Sequence, residues 1–122
     1  MDEVRRLYDS TGKQVTEVAV CCPGVTPQHM NNPGFKTVTY DKDSKELLDF
    51  TTYYTQPSFS YWGNACYRFD SVYSAKKDET IYQTLSGMSL HKVGNAMRKV
   101  YTVKNGSSSY KSVKNGIDVK WE

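Results

Sequence analysis

The residues able to do chemistry in this 122-residue chain are few and poorly grouped. His29 and His91 are the only histidines, and they lie far apart. A two-metal hydrolytic centre needs many nitrogen and oxygen donors converging on both ions, with at least one bridging group. Two imidazoles are too few for the usual kind. His91, beside Lys92 in the first turn of an expected helix, reads as solvated, and His29 as a surface or hydrogen-bonding residue. Cys21, Cys22 and Cys66 form neither a Cys-x-x-Cys pair nor a Cys/His grid, so neither a zinc site nor a disulfide framework is indicated. A strand points adjacent cysteines to opposite faces. A Cys21–Cys66 or Cys22–Cys66 bridge stays open beside the simpler reading of three small buried hydrophobes.

No Gly-x-Ser-x-Gly, P-loop or Rossmann glycine pattern occurs. Asp41, Asp43, Glu46 and Asp49 crowd one hairpin and read as solvated turn residues rather than a calcium loop. Basic residues adjoin only as Arg5-Arg6, Lys76-Lys77 and Arg98-Lys99, and the net charge is +3, so no nucleic-acid stripe is visible. The longest apolar run, Val18 to Cys22, is far short of the ~20 residues a membrane-spanning helix needs. The opening Met1-Asp2-Glu3-Val4-Arg5-Arg6 is charged and does not read as a signal peptide.

The elements that must carry these residues suit one domain of α+β class. Aromatic residues make up 13% of the chain, ten of them tyrosine, which favours strands and amphipathic surfaces over a coiled coil. Antiparallel hairpins are expected over about 3–54. Glu3 to Tyr8 and Gln14 to Cys21 flank the turn Asp9-Ser10-Thr11-Gly12. In the second run Val15, Glu17, Ala19 and Cys21 share one face, and Thr16, Val18, Val20 and Cys22 the other. Cys22 to Gly34 holds three prolines and two glycines, a stiff, irregular segment of the kind that is often functional. Phe35 to Tyr40 and Lys45 to Tyr54 then flank the turn Asp41-Lys42-Asp43-Ser44, with Leu48, Phe50, Thr52 and Tyr54 on one face.

Beyond Pro57 the period becomes helical, giving a helical region over about 58–101. The first helix is expected from Ser58 or Ser60 to about Ser74, through Tyr61, Trp62, Ala65, Cys66, Phe69, Val72 and Tyr73. Asp78 is the expected cap of a second, through Ile81, Leu85 and Met88. Ser89 caps a third, with Leu90, Val93, Met97, Val100 and Tyr101 on its buried face. Val103-Lys104-Asn105-Gly106 recurs as Val113-Lys114-Asn115-Gly116, two tight turns around a short extended piece. Asn105-Gly106-Ser107 is also a glycosylation sequon.

The order of segments carries more than any one residue. Asp2-Glu3-Val4, a strand, Cys22-Pro23-Gly24-Val25-Thr26-Pro27 and Asn32-Pro33-Gly34-Phe35 follow one another. Tyr40-Asp41, Leu47-Leu48-Asp49-Phe50, Tyr53-Tyr54, Tyr67-Arg68-Phe69 and Tyr73 come next. Over about residues 2–101, and most specifically 22–54, this series resembles the acid sphingomyelinase-like phosphodiesterases. These are calcineurin-type metallophosphoesterases, a group that includes the endopolyphosphatases.

The resemblance implies that residues 1–56 are C-terminal strands of the metallophosphoesterase sandwich and 57–122 the sphingomyelinase-type helical region and tail. It implies two divalent metals, zinc by analogy, for the complete enzyme. The family's Gly-His-Thr-His ligands would precede Asp2-Glu3, so this chain is expected to carry no metal ligand, no catalytic residue and no cofactor of its own. It would be inactive alone and would pair with a missing N-terminal catalytic portion. Thr26, His29, Asn31 and Asn32 would form the substrate-pocket rim. The implied substrates are phosphodiesters or phosphoanhydrides: a sphingolipid, a nucleotide or polyphosphate. Secretion or a lysosomal or vacuolar location follows by analogy alone. As a fragment, the chain should expose an apolar face around Val18, Val20 and Phe35. The alternatives are a non-enzymatic binding module that keeps the scaffold, or an unrelated small α+β domain.

Overall fold

The computed structural model describes residues 2–25, 32–56, 65–101, 103 and 117–120. It bears out the α+β class, with two three-stranded sheets and short helices. Strands β1 (Glu3–Tyr8) and β2 (Val15–Cys21) form the first hairpin, and β3 (Gly34–Tyr40) and β4 (Leu47–Tyr54) the second, both antiparallel. The first turn closes through Asp9 N–H to Gln14 O at 2.9 Å, with Gly12 at φ 71° supplying the left-handed step. At the second turn Lys45 takes that step, at φ 64°.

The β1–β2 register places Val4 opposite Val20 and Arg6 opposite Val18 on the core-facing side. A bulge then intervenes: Leu7 opposes Glu17 but Tyr8 opposes Val15, so Thr16 is skipped. That extra residue turns Val15 inward as well, and it is buried, against the simple alternation that set it on the face opposite Val18 and Val20. Val18 and Val20 are half-buried against the core, so the exposed apolar face expected there does not form, whereas Phe35, the third residue expected on it, is exposed. Among the described residues the large apolar side chains left exposed are Val25, Phe35, Val38, Tyr40 and Leu47.

The expected helix from Ser58 or Ser60 to Ser74 holds over its last turn and is replaced just before it. Its first part lies outside the described residues. Cys66–Arg68 is instead a strand, β5, antiparallel to β4, with Tyr67 buried between exposed neighbours. Of the described part, α1 (Phe69–Tyr73) is helical, ending at Ser74 with φ 55°. Pairing with β4 satisfies backbone groups at Cys66–Arg68, and this tertiary gain overrides a helical spacing of apolar side chains.

Helix α2 (Ile81–Ser86) starts two residues later than expected, and Met88 falls beyond it. Thr80, not Asp78, is its cap: Thr80 Oγ1 accepts from Gln83 N–H, and the Gln83 side chain accepts from Thr80 N–H. Asp78 instead holds φ 68° in the preceding turn. Helix α3 (Leu90–Arg98) is capped by Ser89 as expected, with Oγ accepting from Lys92 N–H at 3.2 Å. Val93 and Met97 are buried, and Val100 is buried just past the helix end. The repeated Asn-Gly turns and the sequon lie outside the described residues. A strand the sequence did not announce, β6 (Asp118–Lys120), runs parallel to β1 and completes the order β2-β1-β6; the other sheet has the order β3-β4-β5.

One core joins both sheets to the helices: Val4, Phe50, Phe69, Tyr73, Ile81, Leu85, Val93, Ala96, Met97 and Ile117. It draws on residues from both sides of position 56. Phe50 and Phe69 tilt together at 5.2 Å, and Phe69 stacks on Tyr73 at 4.9 Å. Arg6, 2% exposed, ties β1 to its surroundings. Its Nε and Nη2 grip both oxygens of Asp118 at 2.6 and 2.9 Å, while Nη1 donates to Leu85 O at 3.0 Å and to Met88 O.

Candidate functional site

Of the four expected rim residues, Thr26, His29 and Asn31 lie outside the described residues. Asn32 is described, and it is an anchor rather than a free donor. Its side chain is buried, and Nδ2 donates to Val103 O at 2.7 Å. Gly34 N–H donating to Gly24 O at 3.0 Å clamps the two ends of the proline-rich segment together, and Thr55 N–H donating to Pro33 O at 3.1 Å ties its returning end to the residue after β4. Gly34 is required by contact: a Cβ there would meet Pro23 Cγ and Tyr53 O at 3.0 Å and Val103 Cγ1 at 3.3 Å. Phe35 then stacks on Tyr53 at 5.3 Å. The Asn-Pro-Gly-aromatic element is thus a stem, and it fixes where residues 25–31 depart and return.

Beside this stem lies a buried polar group that sequence reasoning missed. Lys36, Thr52 and Tyr67 occupy one transverse row of the second sheet, paired Lys36 to Thr52 and Thr52 to Tyr67. Their polar atoms converge on Asp2, the residue leading into β1. Lys36 Nζ donates to Asp2 Oδ2 at 2.7 Å and to Thr52 Oγ1 at 2.6 Å. Thr52 Oγ1 donates to the same Oδ2 at 3.0 Å, and Tyr67 Oη donates to it too. The Asp2 and Lys36 side chains are 1% and 0% exposed. The Phe50 ring covers the ammonium, its centroid 3.9 Å from Nζ.

Burial pushes Lys36 below the usual lysine range, opposed by the Asp2 charge. Burial, with the Asp2 charge second, pushes the Tyr67 and Tyr73 hydroxyls far above theirs. One sequence signal was available: Lys36 is the only charge in β3 and shares the parity of the inward-facing Phe50 and Thr52 across the ladder.

The acidic hairpin residues serve turns and tethers. Asp41 Oδ1 accepts from the Asp43 and Ser44 amides, which lowers its pKa, with the Ser44 backbone bond the largest cause. Asp49 accepts from Arg68, Phe50 N–H and Asp70 N–H. Arg68 also pairs with Asp70 at 2.9 Å, and this triad borders an open groove of about 440 Å³ with Lys76, Lys77, Asp78 and Glu79. His91 is exposed, its Nε2 3.0 Å from Asn95 Nδ2.

The three cysteines are free thiols; Cys22 and Cys66 are exposed and Cys21 half-buried, which corrects the reading of three buried hydrophobes. Among the described residues there is no group of three or more His, Cys, Asp or Glu that could hold a metal ion. Nor is any described helix long and apolar enough to cross a membrane. Comparison of the chain with protein-family models, curated proteins and solved structures found no match in any of the three.

Proposed function

We propose that this chain is the C-terminal segment of an acid sphingomyelinase-like metallophosphodiesterase, acting there as scaffold and pocket rim. The enzyme's two-metal centre, and the hydrolysis of a phosphodiester or phosphoanhydride bond, belong to an N-terminal catalytic portion. The observation that carries this reading is the ordered series from Cys22-Pro23-Gly24 through Asn32-Pro33-Gly34-Phe35 to the β3–β4 hairpin. The clamped stem supports it, because a rim must leave the scaffold at a defined place and angle. Thr26, His29 and Asn31 remain the side chains for a phosphate or leaving group, and Asn32 holds the stem.

Two measurements test this. The coding sequence ahead of residue 1 is expected to carry Asp-x-His and Gly-His-x-His elements. The isolated chain with zinc is expected to hydrolyse neither bis(p-nitrophenyl) phosphate, ATP nor polyphosphate. Robust turnover by the chain alone, or an upstream sequence without those elements, refutes the proposal. One observation favours the reading as an unrelated small α+β domain: a buried core draws on both halves of the chain. Absence of the upstream elements excludes the fragment and leaves that domain or the binding module.

A further inference from the structure

We propose that two copies of this chain pair along the open edge of β3, antiparallel about a two-fold axis at Val38. The direction of the backbone groups locates that edge. Gly34 N–H donates to Gly24 O, away from β4, whereas Pro33 O accepts from Thr55 N–H across the gap to the β4 side. Backbone groups alternate sides along a strand. Phe35, Thr37 and Thr39 therefore turn theirs to β4, and Lys36 and Val38 turn theirs outward. Among the described residues no hydrogen bond meets the Val38 N–H or C=O on that side. Thr37, Val38, Thr39 and Tyr40 are all exposed, Val38 at 44% and Tyr40 at 58%.

An uncovered edge recruits another strand through its unpaired N–H and C=O groups, and proteins blunt it with charges, prolines or brevity. The other described edge strands are blunted in this way. β2 carries Glu17, and Tyr82 Oη donates to Val15 O at its start. β5 is three residues long with Arg68, and β6 three residues long with Asp118 and Lys120. β3 runs for seven residues without proline, and its one charge is turned inward, the Lys36 ammonium being 0% exposed and paired with Asp2. Its bulge, between Thr39 and Tyr40, falls past Val38.

The occupant is a second copy because the open stretch is complementary to itself. Thr37-Val38-Thr39 reads the same in both directions, as an isologous two-fold contact requires. With the axis at Val38, its N–H and C=O bond to those of the second copy's Val38. Thr37 then lies opposite the second copy's Thr39, hydroxyl beside hydroxyl, while valine meets valine on the other face. Charge is matched as well: with Lys36 neutralised inside its own copy, no like charges of β3 oppose each other across the pair. The pairing does not depend on the phosphodiesterase reading.

Sedimentation equilibrium of the full chain, from about 10 µM to 1 mM, tests this, the paired edge being shorter than a standard interface. The mass is expected to rise from 13.9 kDa towards twice that value. A reductant excludes Cys22 and Cys66 as the link. Val38→Lys sets two ammoniums face to face and should weaken pairing about tenfold or more. Val25→Lys, at a 70% exposed valine away from the edge, should pair as the wild type does. Amide exchange followed by NMR needs no variant: Val38 N–H should gain protection with concentration, while Thr37 N–H, turned to β4, should not change. A monomer at every concentration overturns the proposal and leaves the edge to a strand of a different protein. A dimer that survives Val38→Lys overturns it too, as does a Val38 amide whose exchange is independent of concentration.

Discussion

Replacing Gly34 with alanine tests whether the Asn-Pro-Gly element is a packed stem. A Cβ at position 34 would sit 3.0 Å from Pro23 Cγ, 3.0 Å from Tyr53 O and 3.3 Å from Val103 Cγ1. None of these yields easily: a proline ring, a strand carbonyl and a fully buried valine. Overpacking of this kind costs about 1–3 kcal/mol, and weakening the Gly34 N–H to Gly24 O bond adds to it. We therefore expect Gly34→Ala to lose about 2–3 kcal/mol. The same substitution at Gly24 is its control, because nothing lies within 4 Å of a Cβ there. It should stay within about 0.5 kcal/mol of wild type. Urea unfolding followed by far-ultraviolet circular dichroism reads both values on one scale. The reasoning fails if Gly34→Ala unfolds at the wild-type midpoint, or if Gly24→Ala loses as much.

Three further outcomes are expected. Arg6→Met keeps the stem of the side chain but leaves Leu85 O, Met88 O and Asp118 without their donor, so urea unfolding should show a loss of about 3–5 kcal/mol. Lys45→Gly relieves the positive φ of 64° in the second hairpin turn and should raise stability by about 0.5–1 kcal/mol, read as a higher urea midpoint. In alkali, Tyr67 and Tyr73 keep protons that the unfolded chain gives up above about pH 10, so their contribution is present below that pH and is lost as pH rises. Lys36, lowered when folded, acts in the opposite sense only below about pH 10.5, so the fall should be read above that value. Tyrosinate absorbance titrated beside circular dichroism should show these two hydroxyls ionising only as the fold is lost; ionisation in a folded chain would refute this.

The sequence by itself determined the local units. Alternating side chains around Asp9–Gly12 and Asp41–Ser44 specify two hairpins, and Ser89 ahead of a 3.6-period stripe specifies α3. These patterns are legible because every interaction that makes them lies within a few residues. Asn32-Pro33-Gly34-Phe35 stood out by composition, though its part as a clamp depends on Val103, Pro23 and Tyr53, none of them adjacent in sequence.

Only the tertiary structure decided the rest. It drew Cys66–Arg68 into a strand, because the edge of β4 was there to pair with it. It brought Asp118 beside Arg6 in a parallel pairing with no local signature, since parallel strands need a distant connection. It also set Asp2 against Lys36, Thr52 and Tyr67. A buried charge is tolerable only with its partners, and those partners are chosen by sheet register and sheet packing, quantities that no short window of residues contains.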